Sequence, residues 1–271
     1  MFIGIDVGSQ SLKAVLLDGG LRVVGLGRQS YPIEFPQPGW AQQDVRLWEV
    51  GLAPAIAQAL SAAGRSAGDV AAIGIAGQLD GCVALDRAGQ PIGPCVIWMD
   101  RRADADLHAL RSDSTVDFRR RTGANLDGTH MAPKARWLLD HGGAAPAIAR
   151  FHQPVSYLVE RLTGEFVMDH GLASTSLVYD IATGQFADDL LGLFGLRREQ
   201  LPRLAPSESI AGTLTDRGAA LAGLPKGLPV AVGTGDDFST PLGAGIAGTG
   251  VLANVLGTAE VVGALHPEPL I

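Results

Sequence analysis

Phe2-Ile3-Gly4-Ile5-Asp6-Val7-Gly8-Ser9-Gln10-Ser11-Leu12-Lys13-Ala14-Val15-Leu16-Leu17 reads as a strand, a Gly-Ser turn and a return strand. Asp18-Gly19-Gly20 turns the chain again, into a third strand from Val23 to Gly27. Three strands joined by tight turns begin an antiparallel meander, whereas a dinucleotide-binding unit would pass from its first strand straight into a helix. Beyond the meander, Asp44 is placed to cap a helix whose apolar residues Trp48, Leu52, Ile56 and Leu60 recur every fourth position. Pro54 lies inside that helix and is expected to kink it. Val70 to Ala76 is a buried strand by composition, and Cys95 to Trp98 a short one. The charges alternating between Arg101 and Arg121 read as a solvated helical face. Helices over 129–141, 154–162 and 215–224, with strands over 228–232 and 250–256, complete an α/β pattern.

The 271 residues are 46% hydrophobic and 18% charged, which excludes a disordered chain. A net charge of −7 argues against nucleic acid or an anionic membrane surface as partner. Cys82 and Cys95 are too few for a disulfide scaffold and lack zinc-knuckle spacing, so a reducing cytoplasmic setting is expected. The uncharged stretch Phe238 to Ala259 is broken by five glycines and Pro241, so it reads as closely packed backbone rather than a membrane span. Gly243-Ala244-Gly245-Ile246-Ala247-Gly248 matches GxGxxG formally but follows Pro241 instead of a strand, so a dinucleotide site is not inferred.

Two constellations carry chemistry. In the first turn Gly8 admits close approach, Ser9 and Ser11 offer hydroxyls, and Lys13 adds positive charge. Asp6 beside such an anion site requires a cation between them, and hydrated Mg²⁺ suits it; an Asp6 that merely caps a turn is the competing reading. The second is Gly233-Thr234-Gly235-Asp236-Asp237 between a strand and a helix, where a carboxylate acts either as a general base or as a helix cap. Asn254-Val255-Leu256-Gly257-Thr258 echoes the first strand and turn, which points to a duplicated unit.

Taken in order, these segments resemble the FGGY carbohydrate kinases. Residues 3–14 are similar to that family's phosphate hairpin, and Pro38-Gly39-Trp40-Ala41-Gln42-Gln43-Asp44 with Trp48 to its PGW segment. Gly77-Gln78-Leu79-Asp80-Gly81 stands where xylulokinases carry Gly-Gln-Met-His-Gly, and Ile97-Trp98-Met99-Asp100-Arg101-Arg102 resembles a further family segment. The resemblance implies an actin-like ATPase fold of ribonuclease-H-like lobes, with a mixed sheet flanked by helices. It implies ATP and Mg²⁺ as cofactors, and phosphorylation of a sugar or polyol hydroxyl with a xylulose-like ketose as first expectation. Asp236 would be the general base and Asp6 would position the metal, with Ser9, Gln10, Ser11, Lys13, Gly257 and Thr258 around the nucleotide phosphates. Gln78, Leu79, Asp80, Asp100 and Asp237 would read the substrate.

Asp80 replaces the histidine of xylulokinases, and Asp237 the Asn or Gln that ordinarily follows the base; two acids there favour hydroxyl donors over a carboxylate substrate. FGGY kinases are nearly twice as long, so 1–249 are expected to be the sugar-binding, catalytic domain and 250–271 the start of a truncated nucleotide-binding domain. A homodimer is expected, without membrane or nucleic-acid partners. Two other classes stand beside this reading: an actin-like nucleotide-binding module, and a sugar-binding remnant without kinase activity.

Overall fold

β1 (Phe2–Val7) and β2 (Ser11–Leu17) pair antiparallel in a register that sets Asp6 directly opposite Lys13. The computed structural model describes residues 1–113, 116–143, 145–256 and 260–268. β3 (Val23–Ser30) continues the meander antiparallel to β2. On the other side of β1 lies the strand Ala72–Gly77, parallel to it, followed by Pro229–Ala231 and the antiparallel edge strand Ile210–Thr213. Thr234–Gly235 extends the parallel pairing with Ala72–Gly77, making a mixed seven-stranded sheet.

One face of this sheet is apolar for the reason period-2 patterning dictates. Ile3, Ile5, Val7, Leu12, Ala14 and Leu16 are buried, while the alternate residues Asp6, Lys13, Val15 and Leu17 remain partly accessible. Helix α1 (Val45–Ala62) covers β2 and β3 with Trp48, Leu52, Ile56 and Leu60 turned inward, and Asp44 caps it by accepting from Arg46 N. The helix is continuous through Pro54. The helix Pro154–Thr163 packs on Ala72–Gly77 and Pro229–Ala231, and a third helix, Asp216–Ala222, touches both of the others.

Two expectations need correction. Residues 101–121 do not form one solvated helix: Arg102 is buried against Asp100, and among the described residues the region holds only the short helices Leu107–Asp113 and Phe118–Thr122. Nor is the glycine-rich stretch after Phe238 closely packed. Asp236–Gly243 is helical, Leu242, Val251 and Leu252 are exposed, and a Cβ at Gly243, Gly245, Gly248 or Gly250 would meet nothing within 4 Å. The strands Leu252–Leu256 and Glu260–Ala264 pair antiparallel with each other, apart from the main sheet.

Candidate active site

Three parallel strands end at one edge of the sheet. Val7 pairs with Gly77, and Gly77 with Gly235, so Asp6, Gln78 and Asp236 emerge side by side at the carboxyl ends, where open α/β sheets place their ligands. They face an open cleft of about 640 Å³, lined also by Ser9, Gln10, Ser11, Lys13, Leu79, Asp80 and Asp237. Nearly all the residues singled out in the sequence therefore converge.

The phosphate-turn side carries the positive charge. Lys13 Nζ lies 2.6 Å from Asp6 Oδ2, a contact that follows from their cross-strand register. Asp6 Oδ1 is buried without a partner. The turn is held from behind by residues that sequence reading missed. Tyr31 Oη donates to the Gly8 carbonyl at 2.6 Å, Gln43 Nε2 to the Ser9 carbonyl at 2.5 Å, and Trp98 Nε1 to Ser9 Oγ at 2.8 Å. Gln78 donates to Gln43 Oε1 at 2.9 Å, so its amide braces the turn as well as lining the cleft. The Trp98 segment was legible as a motif, but nothing local in the sequence reveals a partner 89 residues away.

Asp100 is not brought to the cleft. It is fully buried, accepting from Ala41 N and Arg102 N and paired with the Arg102 guanidinium at 2.8 Å. Arg102 in turn stacks 4.0 Å over Trp40 and donates to Gln42 Oε1. A fully buried carboxylate with these partners anchors the Trp40 loop and has no face left for a substrate. Gly257 and Thr258 lie outside the described residues.

Asp236 is the first residue of its helix, after a cap position taken by Gly235, so helix capping does not account for it. Gly233 makes the approach possible: its φ is +76°, and a Cβ there would sit 2.2 Å from the Ile75 carbonyl oxygen. Thr234 Oγ1 donates to Asp169 Oδ2 at 2.7 Å, fixing the turn. Burial raises the Asp236 carboxyl to about 6, reinforced by the charges of Asp237 and Asp6. Asp237 is raised too, by burial and by Asp80. A carboxylate held near 6 is poised to accept a proton at neutral pH.

No group of three His, Cys, Asp or Glu able to hold a metal by itself occurs among the described residues. The unpartnered Oδ1 of Asp6 fits a hydrated Mg²⁺ that takes its other ligands from water and phosphate. Among the described residues, no helix is long and apolar enough to cross a membrane. Cys82 and Cys95 are free and buried, and burial pushes the Cys82 thiol up to about 12.

The mixed sheet with its flanking helices, and the phosphate-sized turn at the ligand-binding edge, define a lobe of the actin-like ATPase fold. The chain belongs to the FGGY family of carbohydrate kinases, whose N-terminal domain model matches residues 1–243. It is 37% identical over 218 residues to a glycerol kinase of Herminiimonas arsenicoxydans, covering 78% of this chain and 44% of that protein. A glycerol kinase of Janthinobacterium sp. (strain Marseille) is 36% identical, with 94% of this chain and 52% of the relative covered. Among solved structures, xylulose kinase from Rhodospirillum rubrum superposes with a TM-score of 0.90 at 30% identity, over 96% of this chain and 54% of that one. The chain spans about half the length of the curated relatives it matches.

Proposed function

We propose that this chain is the sugar-side and catalytic part of an ATP-dependent kinase acting on a hydroxyl of a neutral polyol or ketose, with Asp236 as general base. The observation that carries the reading is the convergence of Asp236, held near 6, with the Asp6–Lys13 pair across one cleft. Asp236 would take the proton of the substrate hydroxyl as that oxygen bonds to the transferred phosphorus and the bond from phosphorus to the departing ADP breaks. Lys13 offsets negative charge at the turn, and Ser9, Gln10 and Ser11 line the place where phosphate would lie. Mg²⁺-ATP, when bound, supplies the phosphoryl group and the charge neutralisation that this chemistry needs. Asp6 would hold the hydrated metal.

The glycerol kinases at 36–37% identity and the xylulose kinase structure at 30% identity support a neutral polyhydroxy substrate. Xylulose therefore remains within the proposed class without being singled out. The paired strands of residues 252–256 and 260–264, outside the main sheet and beyond the matched domain, are read as belonging to a nucleotide-binding unit that starts near residue 250. A cytoplasmic homodimer completes the proposal. The test is coupled ADP release by the whole protein across glycerol, other polyols and ketoses, with sizing in solution. Stimulation by at least one neutral compound is expected, and none across the panel would refute the reading.

A further inference from the structure

Asp80 has a backbone conformation that residues other than glycine rarely adopt. Its φ is +59°, in the left-handed region, one of three non-glycine residues so placed among those described. Both of its backbone polar groups are held by buried side chains from two different helices. Gln153 Oε1, at the start of the helix Pro154–Thr163, accepts from Asp80 N at 2.8 Å. Lys134 Nζ, from the helix Met131–His141, donates to the Asp80 carbonyl at 2.7 Å and also to the Thr129 carbonyl. Lys134 and Gln153 are both 0% exposed.

An ammonium in that position is costly, since burial depresses its pKa and only nearby anions such as Asp80 oppose the shift. A core lysine that served packing alone would be replaced without loss by an apolar residue. What it does here is fix a strained residue at the cleft. The Asp80 carboxylate is thereby set with Oδ2 3.3 Å from His130 Nδ1 and Oδ1 buried without a partner.

We propose that Lys134, with Gln153, is a positioning residue: the two clamp the left-handed turn at Asp80 so that its carboxylate, which lines the cleft, is held in place for a hydroxyl donor of the substrate. The clamp rests on the function proposed above and adds to it how substrate selection is enforced from outside the cleft. Lys134 touches no substrate and acts only through Asp80.

The test is a cycle of Lys134→Met and Asp80→Gly in the whole protein, because glycine adopts positive φ without penalty and so releases the need for the clamp. Binding of glycerol and of xylulose is measured by calorimetry, alongside Mg²⁺-ATP binding and steady-state kinetics. Lys134→Met is expected to weaken binding of the preferred compound tenfold or more, appearing in KM while kcat and ATP affinity stay within about threefold. In the Asp80→Gly background the same substitution should cost less than twofold. Equal losses in both backgrounds would overturn the clamp. Should Lys134→Met fail to fold, recovery of folding in the Asp80→Gly background supports it, and failure in both backgrounds overturns it. Asp80→Asn keeps the backbone but changes the acceptor. If it leaves the ranking of substrates unaltered, the substrate-side reading of Asp80 falls and the clamp with it; a changed ranking with an inert Lys134→Met refutes the clamp alone.

Discussion

Asp236 occupies the first turn of a helix, where the dipole ordinarily favours a charged carboxylate, yet burial and two neighbouring acids raise it to about 6. The cost of that arrangement has a definite sign. Between about pH 4 and 6 the folded protein holds a proton that the unfolded chain, with Asp near 3.8, has already released. Stability therefore falls as pH rises through this window, and the penalty persists above it. Asp236→Asn should melt higher than the parent near pH 7.5 and match it near pH 4, while transfer drops by about 10²–10⁴. Thermal melts at the two pH values decide it, and an equal or lower melting point near pH 7.5 would contradict the assignment. In the parent, kcat/KM should rise through about pH 6 to a plateau as the base ionises. Asp236 was legible as a candidate from a Gly-rich strand end followed by adjacent acids, with base and helix cap both open until the family resemblance favoured the base. Its perturbation was not, because the largest cause is burial, which only the folded chain supplies, and Asp6 adds its charge from a distant part of the sequence.

At the scale of elements, β1, β2 and α1 could be read directly, since periods of two and of four residues are local properties. The bracing of the phosphate turn could not. Tyr31, Gln43, Gln78 and Trp98 reach it from four segments, and only the folded chain brings them together. Asp100 misled for a related reason: it sits in a family segment, but its carboxylate is taken up by Arg102 beside it and by Ala41 N, 59 positions away. Trp98→Phe removes one donor to Ser9, so the KM for ATP should rise roughly 2–10-fold, the value of one hydrogen bond, with substrate ranking retained. Unchanged ATP kinetics would show that the turn is held without it. The contact of α1 with β3 depends on close approach. A Cβ at Gly27 would sit 1.9 Å from the Ala55 carbonyl oxygen, which is backbone and cannot rotate away. Gly27→Ala should therefore cost about 1–3 kcal/mol in urea unfolding. A neutral result would mean that helix and sheet separate more readily than their packing indicates.

Across the whole molecule, the cleft sorts its charges. Lys13 and Arg28 lie among its lining residues, as do Asp6, Asp80, Asp236 and Asp237. With four acids facing the substrate and metal, a sugar acid should bind at least 100-fold more weakly than the polyol of the same length, a difference of roughly 2.7 kcal/mol. Competition calorimetry would reveal it, and comparable affinity would place the acids outside the substrate site. The central claim is that this cleft transfers phosphate to a neutral polyhydroxy compound with Asp236 as base. The most direct measurement is sugar-dependent ADP release by the whole protein and by its Asp236→Asn variant, with sugar binding followed in parallel. The account predicts stimulated release in the parent, loss of about 10²–10⁴ in the variant, and sugar affinity retained within a few-fold. Near-parental turnover in Asp236→Asn, with sugar still bound, would contradict it.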